Sequence, residues 1–106
     1  MAIERTGTPD WGVHPGEILK EEFLVPLKMS SYRLAQELHI PTPRINDIVI
    51  QKRGITTETA ILLARFFRTS EQFWLNLQDA YEISHAKERL ASKLKRIKPM
   101  KAASSR

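Results

Sequence analysis

The apolar positions of this chain recur at three- and four-residue intervals, the spacing of one face of an α-helix, and polar or turn-forming residues separate the groups. Ile18, Leu19, Phe23 and Leu24 form the first group behind Pro15, which suits a helix start, and Pro26 is expected to stop the run, so helix one reads as 16–25. Leu34, Ala35 and Leu38 follow Ser30, a good N-cap, and Ile45, Ile48 and Val49 follow an opening at Pro41 or Thr42. Lys52-Arg53-Gly54 makes a turn. Thr56 or Thr57 then caps a fourth helix, with Ala60, Ile61, Leu63, Ala64 and Phe67 expected on its buried side. Ser70 begins the last and longest helix, which carries Phe73, Trp74, Leu77, Ala80 and Tyr81, then Ile83, Ala86, Leu90, Leu94 and Ile97. The predicted class is all-α.

Helices two and three are short, and only a tight turn separates them, which is the layout of a helix-turn-helix. With the apolar residues turned inward and small Ala35 at the crossing, Thr42, Pro43, Arg44, Asn46 and Asp47 remain at the start and on the outer face of helix three, where a major-groove reader carries its side chains. Arg44 suits guanine and Asn46 adenine through paired hydrogen bonds. Asp47 can accept from cytosine N4 or pair with Arg44 three residues earlier, and Thr42 and Pro43 either touch a thymine methyl or start the helix. Ser31, Lys52 and Arg53 are placed to hold the sugar-phosphate backbone.

The stripe Ile83, Ala86, Leu90, Leu94 and Ile97 extends beyond what a small bundle can cover, so it folds back on its own domain or packs against a second subunit. Helix-turn-helix proteins commonly work as two-fold dimers, which favours the homodimer. The chain divides into an irregular arm at 1–13, a DNA-binding domain with its dimerisation helix at 14–98, and a disordered basic tail at 99–106.

Charge and composition change this picture in a few places. The net charge of +5 is uneven, because eight of the 17 Lys and Arg lie in residues 87–106 beside Glu88 alone, giving +7 there and −2 over the rest. The basic balance therefore belongs to the end of the chain, which either binds phosphate or is a solvated end. Cysteine is absent, which excludes a disulfide framework and a thiolate nucleophile and fits a reducing cytoplasm. No apolar run approaches a membrane span, and no phosphate-loop, dinucleotide or nucleophile-elbow pattern occurs. No enzyme activity, small-molecule substrate or cofactor is expected. His14, Glu17 and Glu21 lack the compact three-ligand pattern of a metal site, so His14 and Glu17 are expected to cap or staple helix one, and no metal is expected. Trp74 and Tyr81 read as core anchors rather than as a stacking platform.

Four segments carry a resemblance: His14-Pro15-Gly16-Glu17-Ile18-Leu19, the helix-turn-helix itself, Lys52-Arg53-Gly54-Ile55-Thr56 with Thr59-Ala60, and Thr69-Ser70-Glu71-Gln72-Phe73-Trp74-Leu75-Asn76-Leu77-Gln78. With these the chain resembles the HigA/VapI branch of the Xre-type helix-turn-helix proteins. The resemblance implies a λ-repressor-like bundle of about five helices with a long C-terminal helix, a homodimer, and binding to double-stranded operator DNA with autorepression. It also implies a RelE-like (HigB-type) ribonuclease toxin as partner. Two positions depart from the family pattern, since His39 and Gln51 stand where glycine is usual, and a left-handed non-glycine costs on the order of 1 kcal/mol. Two other readings stay open: a stand-alone Xre-family regulator without a toxin, and an interaction or RNA-binding protein acting through its long helix.

Overall fold

The computed structural model describes residues 12–101, and among these every regular element is a helix. The expected arm lies outside the described residues except for Gly12 and Val13, as do residues 102–106 of the expected tail.

Helix α1 occupies residues 15–27. It is α-helical at Pro15–Ile18 and Val25–Leu27 and wound as a π-helix over Leu19–Leu24, where the Val25 amide donates to the Lys20 carbonyl five residues back. Pro26 was expected to stop this helix, yet the helix runs on to Leu27. A proline lacks the amide proton and presses its ring on the carbonyl four residues earlier, and the wider π turn immediately before it relieves that crowding. The remaining helices are α2 (Ser31–Leu38), α3 (Thr42–Val49), α4 (Thr57–Phe67), α5 (Glu71–Arg89) and α6 (Ala91–Arg96).

Helix starts follow the local chemistry that the sequence predicts. Ser30, Thr56 and Ser70 each accept an amide proton three residues on, at 3.0, 3.2 and 3.0 Å, which satisfies one of the free donors of the first turn. His14 caps α1, its Nδ1 accepting from the Gly16 amide at 2.8 Å. The ends of α1, α2, α3 and α4 share a single device. Lys28, His39, Gln51 and Arg68 all adopt left-handed backbone, with φ of 54°, 60°, 65° and 61°. In each case the following amide reaches the carbonyl five residues back: Met29 to Leu24, Ile40 to Ala35, Lys52 to Asp47 and Thr69 to Ala64. This is the Schellman closure, usually made with glycine. Four bulky residues make it here.

The core joins Leu19, Leu34, Ala35, Ile45, Ile48, Leu63 and Trp74, with Phe23, Phe67 and Phe73 packed around the indole. The Phe23 ring lies 4.7 Å from Phe67 and 5.0 Å from Trp74. Trp74 is fully buried and its indole N–H donates to Thr69 Oγ1 at 2.8 Å, so its only polar atom keeps a partner. Ile61 departs from expectation, being 48% exposed. The buried face of α4 runs through Ala60, Leu63 and Ala64, and Ile61 sits about 100° around the helix from Ala60.

The last helix also departs from expectation. Instead of running unbroken to Ile97, α5 ends at Arg89, Leu90 takes φ −94° and ψ 5°, and α6 covers only six residues, with Ile97 already extended. Every residue from Lys87 to Lys101 is exposed. Without burial this stretch rests on local propensity alone, and Arg89 and Lys93 set like charges four residues apart.

Candidate nucleic-acid interface

The helix-turn-helix is built by α2 and α3, which pack on each other through buried Leu34, Ala35 and Leu38 on one side and Ile45 and Ile48 on the other. The turn between them is closed by His39 N–H to the Gln36 carbonyl and Ile40 N–H to the Ala35 carbonyl, both at 3.1 Å. Gly16 of α1 fixes α3 from the other end. A methyl group there would run into the Ile48 carbonyl oxygen, so only glycine lets the first turn of α1 come so close to the last turn of α3.

Inward placement of Ile45 and Ile48 turns the rest of α3 outward. Pro43 and Asn46 are exposed, while Thr42, Arg44 and Asp47 are half-buried. Helix α3 begins without a side-chain cap, since Pro41 occupies the N-cap position and Pro43 has no amide proton. Ser31 is half-buried at the start of α2, whereas Lys52 and Arg53 are exposed beyond the end of α3. The eight residues of α3, about 12 Å of helix, therefore separate Thr42-Pro43-Arg44 at one end from Lys52 and Arg53 at the other.

Among these residues the structure brings Asp47 and Arg53 together. The Asp47 carboxylate pairs with Arg53 Nη2 at 3.4 Å, rather than with Arg44 as the spacing allowed. Its main-chain carbonyl also receives the Lys52 and Arg53 amides, at 2.7 and 3.2 Å. A shallow open groove of about 470 Å³ lies beside this turn, lined in part by Asp47, Arg53, Ile55, Gln78 and Glu82. Gln78, the last residue of the Thr69–Gln78 segment, reaches this turn from α5. Its Oε1 accepts from the Ile55 amide at 2.7 Å, a bond across 23 positions that no local spacing announces. Tyr32 and Gln36 were also passed over. Both are exposed on α2, where Gln36 Nε2 donates to the Tyr32 hydroxyl at 3.1 Å beside the Arg33–Glu37 pair.

His14 is engaged within the fold. Its Nδ1 is used by the cap, its ring stands 4.8 Å edge-on to Tyr81, and burial pushes its pKa below the usual histidine value. No group of three metal-ligating side chains occurs among the described residues, and none of their helices is long and apolar enough to cross a membrane.

A buried helix pair presenting a polar outer face, inside an all-helical bundle, defines a helix-turn-helix protein of the DNA-binding class. The helix-turn-helix family model matches residues 19–74. Virulence-associated protein I of Dichelobacter nodosus is 49% identical over 76 residues, covering 72% of this chain and 70% of that protein. Among solved structures, the antitoxin HigA of Pseudomonas aeruginosa, determined with the higBA promoter, matches with a TM-score of 0.81 and 42% identity over 84% of this chain and 98% of that one. An addiction module antidote protein of the HigA family from Coxiella burnetii matches with a TM-score of 0.79 and 47% identity over 84% and 98%. The chain belongs to the Xre-type helix-turn-helix family, in its HigA branch.

Proposed function

We propose that this chain is a sequence-specific DNA-binding antitoxin of the HigBA type, which represses its own promoter in the cytoplasm and neutralises a RelE-like toxin. The observation that supports this most is the match, over 84% of this chain and 98% of the other, to an antitoxin solved with the higBA promoter. In this reading Arg44 and Asn46 meet base edges in the major groove, with Thr42, Pro43 and Asp47 beside them, and Ser31, Lys52 and Arg53 grip the sugar-phosphate backbone. Two copies associate through Ile83, Ala86, Leu90, Leu94 and Ile97, which places two α3 helices against two half-sites. The protein has no catalytic role; its work is binding.

Gel shifts with the chain's own upstream DNA test the assignment. Arg44→Ala should weaken operator binding by roughly 1–3 kcal/mol and blunt sequence preference, whereas Lys52→Ala should weaken all duplexes alike and lower the salt slope. Unchanged binding by Arg44→Ala would overturn the role of α3. Toxin neutralisation is read from growth: co-expression with a neighbouring toxin-like gene should rescue it, and deletion of residues 1–12 should impair rescue more than DNA binding. Failure of the full chain to rescue or co-purify would leave a stand-alone Xre-type regulator.

A further inference from the structure

The turn that carries Lys52 and Arg53 is held at two points, and the second lies far from α3 in sequence. Asp47 secures its start through the Lys52 and Arg53 amides. Its end is secured by Gln78 of α5, whose Oε1 accepts from the Ile55 amide at 2.7 Å while its Nε2 donates to Glu82 Oε2 at 2.7 Å. The two bonds are complementary. The Glu82 carboxylate can only accept, so it takes the NH₂ end of the carboxamide and leaves the oxygen facing the Ile55 N–H. With the carboxamide reversed, an NH₂ donor would face an N–H donor.

Gly54 completes the arrangement. It does not have positive φ, so its backbone conformation is open to any residue. What it supplies is space, because a Cβ at that position would stand 2.6 Å from both Nε2 and Oε1 of Gln78. The loop thus leaves room for the Gln78 carboxamide to reach the Ile55 amide.

We infer that Gln78, oriented by Glu82, is a positioning residue for DNA-backbone binding: it acts through the Gly54–Ile55 turn to hold Lys52 and Arg53 where phosphates are met. This deepens the proposed function and rests on the reading of Lys52 and Arg53 given there. In a free turn one of these phosphate contacts is lost, which weakens binding to every duplex equally because phosphate contacts carry no sequence information.

Gln78→Met keeps the length of the side chain and removes both hydrogen-bonding groups. The folded variant should exchange its Ile55 amide faster than wild type. It should also bind operator and random duplex more weakly by the same factor, about three- to tenfold, with a salt slope shallower by about one. Gly54→Ala, which displaces the carboxamide from the other side, should reproduce the effect. The exchange of roles in Gln78→Glu with Glu82→Gln should restore wild-type binding, since a carboxylate at 78 accepts from both Ile55 and Gln at 82. Wild-type affinity and slope in Gln78→Met, while Lys52→Ala does weaken binding, overturn the inference and leave the backbone grip standing. If Lys52→Ala is also silent, both fall. A loss confined to operator DNA, or one that the exchange fails to restore, likewise refutes a positioning role.

Discussion

The body of the molecule, residues 14–82, and the arm that continues from Ile83 to Lys101 carry the same helical spacing of apolar residues, with opposite outcomes. In the body Leu34, Ile45, Ile48, Leu63 and Trp74 are fully buried. In the arm Ile83, Leu90, Leu94 and Ile97 are 40–59% exposed. Helices α2, α4 and α5 start from a hydroxyl cap, whereas α6 has neither a side-chain cap nor a buried residue, and the helical run breaks at Leu90. Periodicity therefore declares which face a helix offers. It does not supply the surface that the face requires, and most of the stability of a helix in water comes from that surface.

The largest expected effect that would sharpen this contrast comes from Trp74→Ala, which should cost about 3–5 kcal/mol in urea unfolding. Leu94→Ala should cost well under 1 kcal/mol where the chain is monomeric, with a penalty that grows with protein concentration if a second copy covers the stripe. An equal loss for both variants at high dilution would erase the distinction between body and arm. Next comes Leu90→Glu, which sets a charge in the apolar stripe and should convert a dimer to a monomer in sedimentation while leaving the thermal midpoint of the body in place. A wild-type chain that sediments as a monomer at tens of micromolar breaks the dimer reading.

Smaller still is the gain from His39→Gly. Relief of left-handed strain, partly offset by a more flexible unfolded chain, should stabilise the body by about 1 kcal/mol or less. A destabilised variant would mean that the His39 side chain contributes something the turn geometry does not require. The last test is a slope with pH. Burial lowers the His14 pKa, so the unfolded chain takes up this proton more readily than the native one. The associated stability is fully present above the ordinary histidine pKa of about 6.5 and is lost as pH falls from there through the lowered native value. Urea midpoints for His14→Asn, which keeps an N-cap acceptor without the titration, should fall less between neutral and mildly acidic pH than those of wild type.

What was legible in the sequence is what short-range chemistry decides. A hydroxyl ahead of an apolar repeat marked Ser30, either Thr56 or Thr57, and Ser70 as helix starts, with Thr56 taking the cap, and the period placed Pro43 and Asn46 on the outer face of α3. Ile61 was misplaced because a single residue's offset around a helix moves a side chain out of a face only a few residues wide. The left-handed endings at Lys28 and Arg68 carried no signal, since glycine, the residue that announces them, is absent there. Pro26 misled because its usual effect assumes an α-helix, and a π turn accommodates it. Of the site, the candidate base-reading positions followed from the period, but the Asp47–Arg53 pair needed the turn after α3 to fold back, and Gln78 needed the whole bundle.

The two sides of α3 are independent. Ile45 and Ile48 hold the helix in the bundle, while Pro43 and Asn46 point away from it. Exchanges at Pro43 and Asn46 thus leave the fold nearly untouched, so the chemistry of this outer surface can change while the bundle beneath it stays as it is.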